Sequence, residues 1–309
     1  MKNSTITITH LGSFAHKILQ QETKGIVTGI SSRGIFLQPE DDLTLFLSRE
    51  KFKGPLTINL DGELSSLQNI QAQTPIIFRP SAINFPDENL TLNLPQMSPQ
   101  DHGLPAGSNK LTTALIAEIS KMIPILAGGN EFLPLIEMAS TGKTKPLPGV
   151  PGFSDQLDLV LNTGKTFHSY LQAESLANLL GLGPGLTPLG DDFILGILLT
   201  LNRWGHLIPP DLAEFQTDDS LSRSYQALKI LNHDILEQAW EKTTRLSASL
   251  LTCATTGAAD ERLLKVLDSF FLEHKLAQED LNNLIQWGNS SGIAVLAGMY
   301  SCFRLKLWN

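Results

Sequence analysis

The sequence predicts an α+β protein in which a small all-β domain, a barrel or a sandwich, is followed by a mainly helical domain. Within the first hundred residues, polar and apolar side chains alternate with the period of two that β-strands show. Beyond residue 108, apolar residues recur three and four positions apart, as they do on one face of a helix. The chain has 309 residues, enough for roughly two domains. We expect these domains to span residues 1–105 and 106–309.

The first hundred residues contain seven segments with the patterns of strands. These segments are residues 5–9, 26–30, 35–38, 43–47, 56–60, 76–79 and 90–94. A short helix is expected at about residues 14–21, between the first two strands. Strands at a spacing of about ten residues favour a small barrel or sandwich over a βαβ unit.

Residues 106–309 are expected to form helices that pack around one core. Apolar residues mark helices at about residues 111–123, 221–240 and 259–274. A further helix begins near Phe193 and is apolar on nearly every side, so we expect it in the centre of the domain. Thr187 and Pro188 fit the N-cap and the first position of that helix.

The composition and net charge of the chain exclude several classes of protein. Hydrophobic residues make up 42% and charged residues 17% of the chain, which excludes a disordered protein. The 23 basic and 31 acidic residues give a formal net charge of −8. A negative charge of this size disfavours binding to nucleic acid or to anionic lipid, so we expect neither nucleic acid nor a membrane as a partner.

The cysteines and the N-terminal residues predict the compartment. Cys253 and Cys302 lie within apolar helical patterns, which favours two buried free thiols over a disulfide. Residues 3–9 alternate polar and apolar side chains, unlike the continuous apolar segment of a signal peptide. Residues 193–201 are far shorter than the roughly 20 apolar residues that a membrane-crossing helix needs. We therefore expect a cytoplasmic protein.

Several motifs resemble catalytic sites but lack an essential residue. Two Thr-Gly-Lys-Thr strings, residues 141–144 and 163–166, have Glu137 and Leu159 where a phosphate-binding P-loop needs its first glycine. We expect both strings to be hydrophilic turns. The histidines form no pair at the spacing of helical zinc ligands, and no Cys-x-x-Cys or Gly-x-Ser-x-Gly motif is present. These absences argue against hydrolases that depend on zinc or on a nucleophilic serine.

Residues 181–192 form the strongest candidate for a functional site. Four glycines fall within ten residues, directly before the apolar helix. Glycines at this place can expose backbone N–H groups at a helix N-terminus, an arrangement that binds anions. The candidate substrate-binding or anion-binding residues of this segment are Gly183, Gly185, Thr187 and Gly190.

Asp191 and Asp192 are the candidate catalytic residues, because they enter a buried helix next to these glycines. Two adjacent carboxylates are costly to bury unless they are paired or ligated. They can orient a substrate amine or hold a divalent cation. The alternative is structural: the glycines permit close packing, and the aspartates stabilise the positive end of the helix.

A second segment has a similar outline. Its polar turn, which adds further candidates for substrate or anion binding, consists of Asn289, Ser290, Ser291 and Gly292. In both segments another glycine follows six residues later: Gly196 after Gly190, and Gly298 after Gly292. Glycine inside a helix destabilises it by roughly 1 kcal/mol relative to alanine. We therefore expect the two helices to cross closely and their loops to converge on one pocket, although chance similarity is the alternative.

Residues 183–193 resemble the signature of a prokaryotic domain-of-unknown-function family. That family includes the AllH-type subunit of oxamate carbamoyltransferase, an enzyme of anaerobic allantoin breakdown. The turn at residues 289–292 is similar to a late motif of the same family. The family often has serine at the position of Leu189 and an acidic residue after Gly292, where this chain has Ile293 and Ala294.

The resemblance implies carbamoyl transfer between carbamoyl phosphate and a small amide or amine acid such as oxamate. The phosphate would then lie on the loop amides, hydroxyl groups of Thr187, Ser290 and Ser291 would donate hydrogen bonds, and Asp191 or Asp192 would accept a proton. Arg245 is a candidate anion clamp, with an ordinary surface arginine as the alternative.

The resemblance also bears on partners and cofactors. It implies a small anionic substrate and other enzyme subunits as partners. The sequence requires no cofactor, and a divalent cation at the aspartate pair is an open possibility. The alternative function is a non-catalytic metabolite-binding or scaffolding subunit of a multi-subunit enzyme.

Overall fold

A computed structural model describes residues 7–61, 67–94, 103–105, 111–162, 173–207, 220–272 and 276–304. The chain divides into two compact units, Met1–Gly103 and Leu104–Asn309. The first unit contains a β-sheet and the second is mainly helical, which confirms the predicted α+β fold class.

The first unit is built from one curled eight-stranded sheet. The strands are Thr7–Leu11 (β1), Thr23–Ser31 (β2), Gly34–Pro39 (β3), Leu45–Ser48 (β4), Thr57–Asp61 (β5), Pro75–Arg79 (β6), Ala82–Phe85 (β7) and Leu90–Asn93 (β8). Their order in the sheet is β1-β5-β4-β3-β2-β6-β7-β8. All neighbouring strands pair antiparallel except β4 and β5, which are parallel.

The sheet matches the predicted strands closely. The short helix Ser13–Ile18 (α1) lies between β1 and β2, as expected. All seven predicted strand segments coincide with observed strands, although residues 5 and 6 lie outside the described residues. The sequence pattern did not predict β7, a strand of four residues that pairs with β6 on one side and β8 on the other.

The second unit consists of helices joined by loops. Those in the described residues are Thr113–Ala127 (α2), Pro134–Thr141 (α3), Phe153–Asn162 (α4), Ala173–Ala177 (α5), Leu189–Trp204 (α6), Ser220–Lys242 (α7), Arg245–Ala254 (α8), Glu261–Ser269 (α9), Gln278–Ile285 (α10) and Ser291–Arg304 (α11). One 3₁₀ turn, Gly205–Leu207, follows α6. The first Thr-Gly-Lys-Thr string ends α3 and continues into a loop, whereas the second, residues 163–166, lies outside the described residues.

Helix α6 occupies the centre of this unit. Every residue of α6 except Asn202 is buried, which confirms the position expected for a helix that is apolar on nearly every side. Helix α11 is buried from Gly292 to Phe303. The two helices share one hydrophobic core with most other helices of the unit.

Helices α6 and α11 cross at two glycines. A Cβ atom on Gly196 would lie 2.1 Å from the carbonyl oxygen of Val295, and one on Gly298 would lie 2.1 Å from that of Phe193. No side chain fits at either position, because real Cβ atoms do not approach other atoms so closely. The close crossing predicted from the two mid-helix glycines is therefore confirmed.

Two further expectations concern thiols and membranes. Cys253 and Cys302 are both free and buried, as predicted. Within the described residues, every helix is too short or too polar to span a membrane.

Candidate functional site

The glycine-rich loop joins α5 to α6 and has an unusual backbone. Gly181, Gly183 and Gly185 have φ angles of 73°, 115° and 105°, in the region that side-chain-bearing residues rarely adopt. Helix α6 begins at Leu189, with Pro188 as its N-cap. The predicted N-cap at Thr187 is therefore wrong by one residue, since Pro188 takes this position and no side chain caps the helix.

The loop presents unused backbone donors. Four backbone N–H groups of the loop donate no hydrogen bond within the described residues, namely those of Gly183, Gly185, Leu186 and Thr187. Residues 184–186 are exposed, and the positive end of α6 follows directly. These N–H groups are available to an anion, as the sequence predicts for Gly183, Gly185 and Thr187.

Gly190 and Gly292 serve close packing. A Cβ atom on Gly190 would lie 1.9 Å from the carbonyl oxygen of Leu179, and one on Gly292 would lie 1.7 Å from that of Leu284. The N–H of Gly190 donates to the carbonyl of Leu182 at 2.9 Å, and that of Gly292 donates in the same way within its own turn. Their N–H groups are thus occupied within the protein, so the structure gives these two glycines a packing role.

The two loops converge at a pair of hydroxyl groups. Oγ1 of Thr187 lies 3.1 Å from Oγ of Ser291. Both side chains are half-buried, and Ser291 is the first residue of α11. The sequence predicted that the loops before the two crossing helices would meet, and this contact joins them.

The rest of the second turn faces outward or holds the turn itself. Asn289 is exposed, and its carbonyl accepts a 2.9 Å hydrogen bond from the side chain of Asn130. The carbonyl of Ser290 accepts the N–H of Ala294 at 2.9 Å. Of the candidates in this turn, Ser291 is therefore the one whose side chain the structure places against the glycine-rich loop.

Asp191 is a structural link of the site. Its Oδ1 accepts a 2.8 Å hydrogen bond from the N–H of Gly181, and its Oδ2 accepts one from the Thr243 hydroxyl. Burial raises the pKa of Asp191, while hydrogen bonds from Thr243, Gly181 and Ser247 oppose that shift. Both oxygens are thus used within the protein, which suits a residue that positions the loop.

Asp192 is placed differently. Its side chain is 1% exposed, and Oδ2 is enclosed without a hydrogen-bond partner among the described residues. Burial raises the pKa of Asp192 well above its ordinary value, the hydroxyls of Ser291 and Thr187 lower it, and the charge of Asp191 raises it. An unpartnered buried carboxylate oxygen is unfavourable, and the raised pKa reduces this cost because it favours the uncharged carboxyl group.

The site has three walls. The glycine-rich loop and the turn before α11 form two of them, and the junction between α7 and α8 forms the third. The Thr244 hydroxyl donates to the carbonyl of Leu186 at 2.7 Å and accepts the N–H of Ser247 at 3.1 Å as the N-cap of α8. The carbonyl of Lys242 lies against Gly181. Together with the bond from Thr243 to Asp191, these contacts hold the glycine-rich loop and the start of α6 against the junction of α7 and α8.

Comparison with known families supports one assignment. Residues 179–303 match the model of the family oxamate carbamoyltransferase subunit AllH. The resemblance predicted from the glycine-rich signature is therefore confirmed over these residues. The match begins two residues before the glycine-rich loop and ends in α11, so this AllH-type region contains all three walls of the site. No curated protein and no solved structure matches the chain significantly.

The AllH-type region contains two helix starts with equivalent contacts but different chemistry. Gly190 and Gly292 each occupy the second helical position and pack on a backbone carbonyl. Counted from these glycines, Asp192 corresponds to Ala294. The first helix start therefore supplies the carboxylates of the site, and the second supplies the Ser291 hydroxyl.

The threonines of the third wall were not among the predicted site residues. Thr243 directly follows the end of α7, and Thr244 directly precedes the start of α8, a local signal for an N-cap. That signal does not say which loop the hydroxyls contact, because Thr243 and Asp191 are 52 residues apart. Arg245, the predicted anion clamp, is the first residue of α8 and has an exposed side chain.

The AllH-type region offers few ligands to a metal ion. Among the described residues, no group of three or more His, Cys, Asp or Glu side chains is arranged to hold a metal. Since both oxygens of Asp191 already accept hydrogen bonds, the aspartate pair would present mainly Asp192 to a cation.

Proposed function

We propose that this protein is a carbamoyltransferase subunit that binds carbamoyl phosphate and a small amide acid such as oxamate at the glycine-rich loop. One observation carries the proposal: the loop before α6 has backbone N–H groups that no described acceptor uses, and Oδ2 of Asp192, in the first turn of α6, has no hydrogen-bond partner among the described residues. The first group of atoms suits an anion and the second suits an N–H donor. Both substrates combine an anionic group with an NH₂ group, and the AllH match supports the same chemistry.

The backbone donors would hold the phosphate group. The N–H groups of Gly183 and Gly185 lie in an exposed loop at the positive end of α6. Donors fixed in this way stabilise the charge that develops on a leaving phosphate, since they need no reorganisation during the reaction. The hydroxyls of Thr187 and Ser291 lie at the same place and can donate as well.

The transfer needs a proton acceptor. The substrate nitrogen attacks the carbamoyl carbon, a C–N bond forms, and the C–O bond to phosphate breaks. The attacking nitrogen then loses one proton, which we assign to Asp192 because Asp191 is already engaged by two donors. The proton passes on to the released phosphate, and the products are oxalurate and inorganic phosphate. A carboxylate with a raised pKa suits this role, because its proton affinity approaches that of the reacting group.

The test is a turnover assay of the full chain, alone and together with the subunits encoded beside it. Carbamoyl phosphate and oxamate are supplied, and phosphate and oxalurate are measured. We expect turnover that falls by about 10²-fold or more with Asp192→Asn. The matched control is Glu241→Gln, an exposed carboxylate on α7, which should keep full activity. Absence of turnover in both settings would contradict the proposal.

A non-catalytic subunit is the second candidate function. The same unused N–H groups would then bind a metabolite for regulation or assembly. This alternative expects binding of phosphate or oxamate at the loop, with turnover of the complex unaffected by Asp192→Asn. The same assay therefore separates the two functions.

A divalent cation at Asp192 is a further part of the proposal. Mg²⁺ binds carboxylates together with substrate phosphate oxygens, and both would be present at the loop. Activity of the complex measured after chelation, and again after Mg²⁺ is restored, tests whether a cation takes part.

A further inference from the structure

We propose that Arg262 is a positioning residue of the site: its guanidinium group holds the indole ring of Trp287, and the turn that begins at Trp287 places the Ser291 hydroxyl. Arg262 lies in the first turn of α9, an element outside the three walls. It therefore acts on the site through Trp287 and Ser291. The inference rests on the proposed function, because a loss of turnover is one of its expected effects.

Arg262 is a buried cation that is held in one orientation. Its Nε donates to Oδ1 of Asp260 at 2.8 Å, and a terminal nitrogen donates to Oδ2 at 2.8 Å. Only 7% of the Arg262 side chain and 12% of the Asp260 side chain is exposed. Asp260 is itself fixed as the N-cap of α9, where it accepts the N–H of Arg262. Two parallel bonds of this kind fix the plane of the guanidinium group.

The guanidinium group of Arg262 lies over the indole ring of Trp287. Its central carbon is 5.5 Å from the ring centroid, within the range of a cation–π contact. Trp287 is half-buried and packs against the core of the helical unit. The contact joins the start of α9 to the turn before α11, two places that α10 separates in the sequence.

The turn that begins at Trp287 determines where Ser291 lies. The carbonyl of Trp287 accepts the N–H of Gly292 at 2.9 Å, which closes the turn. Gly288 has a φ angle of 71°, and a Cβ atom on it would lie 3.0 Å from Oγ of Ser291. The Ser291 side chain thus packs on the backbone directly after Trp287. A shift of the indole ring moves this backbone, and with it the hydroxyl that lies 3.1 Å from that of Thr187.

The pair of Arg262 and Asp260 has a counterpart far from the site. Arg203, which is 3% exposed, donates from Nε and a terminal nitrogen to the two carboxylate oxygens of Asp268, at 2.5 and 2.7 Å. At a rise of about 1.5 Å per residue, Arg203 lies roughly 16 Å from Asp192 along the axis of α6. Breaking either pair destabilises the fold, because it leaves a buried charge. Arg203 is therefore the structural control for Arg262.

The first experiment measures kcat/KM with carbamoyl phosphate and oxamate, using the full chain with its partner subunits. Arg262→Lys keeps the positive charge but loses the planar group that lies on the indole. We expect kcat/KM to fall by about tenfold to about 10²-fold, because a small displacement of a contact group is costly. Arg203→Lys should lower stability to urea to a similar extent and keep kcat/KM. In the Ser291→Ala background, Arg262→Lys should add no more than about a twofold loss, since its effect passes through the missing hydroxyl.

Two variants of Trp287 test the contact from its other side. Trp287→Leu removes the aromatic face and leaves the pair of Arg262 and Asp260 intact, so it should reproduce the loss of kcat/KM. Trp287→Phe keeps an aromatic face and should retain most of the activity. These variants keep the test valid if Arg262→Lys does not fold.

A second readout needs no substrate. In the double variant Thr187→Cys/Ser291→Cys, the rate at which oxidised glutathione joins the two introduced thiols reports how closely these positions meet. The natural thiols, Cys253 and Cys302, are buried. We expect Arg262→Lys to slow this disulfide formation several-fold, and Arg203→Lys to leave its rate unchanged.

The outcomes distinguish this inference from the proposed function. The inference is wrong if Arg262→Lys and Arg203→Lys lower kcat/KM equally, or if the loss persists undiminished in the Ser291→Ala background. It is also wrong if the introduced thiols never join or if Arg262→Lys leaves their rate unchanged. Absence of turnover in the unaltered chain contradicts the proposed function alone, and the disulfide rates then decide the inference.

Discussion

Gly196 and Gly298 face each other so closely that a Cβ atom on either residue would lie 3.1 Å from the Cα atom of the other. Each glycine comes six residues after the one at the second position of its helix. At a rise of about 1.5 Å per residue, the two helix starts lie about 9 Å from the crossing along their axes. The residues just before these glycines include Thr187 and Ser291, whose hydroxyl oxygens lie 3.1 Å apart.

The crossing predicts a large effect of the smallest possible side chain. Gly196→Ala and Gly298→Ala should each lower the free energy of unfolding by about 1–3 kcal/mol or more, because the added methyl group meets a backbone carbonyl. Urea denaturation measures this. Gly103→Ala is the control, since none of the described residues apart from its chain neighbours places an atom within 4 Å of its Cβ position. Unchanged stability in both helix variants would refute the close crossing.

The buried carboxyl group of Asp192 predicts that Asp192→Asn becomes more stable, relative to the unaltered chain, as the pH rises. Burial raises the pKa of Asp192 in the folded chain well above the ordinary value of 3.8. Between these two pKa values the folded chain binds more protons than the unfolded chain, so stability falls as the pH rises. Asparagine does not titrate. Asp192→Asn should therefore gain stability relative to the unaltered chain as the pH increases from about 4. The gain reaches its full size above the pKa that Asp192 has in the folded chain, where the unaltered chain bears the whole cost of ionising a buried carboxyl group.

Thermal unfolding of both proteins from pH 4 to pH 8 tests this expectation. The exposed variant Glu241→Gln should follow the unaltered chain across the range. A difference between Asp192→Asn and the unaltered chain that stays constant with pH would show that Asp192 keeps an ordinary pKa in the folded state.

Local patterns predicted most of the fold. Alternation, or a high content of β-branched residues and Phe, identified every strand except β7, in which the adjacent apolar residues Ala82 and Ile83 break the alternation. Its stability comes from pairing with β6 and β8, which is tertiary information. The apolar helix α6 and its crossing with α11 were predictable because glycine inside a helix needs an offsetting contact.

The site was less predictable because its contacts join distant parts of the chain. The glycine-rich loop and Ser291 can be identified from the local sequence. The third wall, which includes Thr243, cannot. A threonine next to a helix end has the same local pattern whether or not its hydroxyl contacts a buried aspartate. The predicted cap shows the same limit: the Thr187 hydroxyl lies 3.1 Å from that of Ser291 and does not cap the helix, and a local pattern does not contain this tertiary contact.

The thiols predict slow chemical modification. Cys253 and Cys302 are buried, and burial raises the pKa of the Cys302 thiol far above its ordinary value. The reactive species is the thiolate, so neither thiol should react with a disulfide reagent within minutes in the folded chain. Both should react at once in concentrated urea, which also counts them. Rapid reaction in the native state would show that this part of the core is open to solvent.

The bond between Thr243 and Asp191 predicts a coupled loss of stability and binding. Thr243→Val removes the donor to Oδ2 of Asp191 and weakens the hydrogen bonding of a buried carboxylate, which costs about 1–3 kcal/mol. Because Asp191 also holds Gly181, the loop should bind phosphate and oxamate more weakly. Thr243→Ser keeps the hydroxyl and should restore both properties.

Urea denaturation and calorimetric titration with oxamate measure the two effects of the Thr243 variants. Thr252→Val is the matched control, because its hydroxyl donates to the carbonyl of Ala248 within the same helix and its loss leaves that helix bond intact. If Thr243→Val and Thr252→Val lower stability equally and neither changes binding, the third wall has no influence on the loop. Recovery in Thr243→Ser of stability but not of binding would mean that the two effects have separate origins.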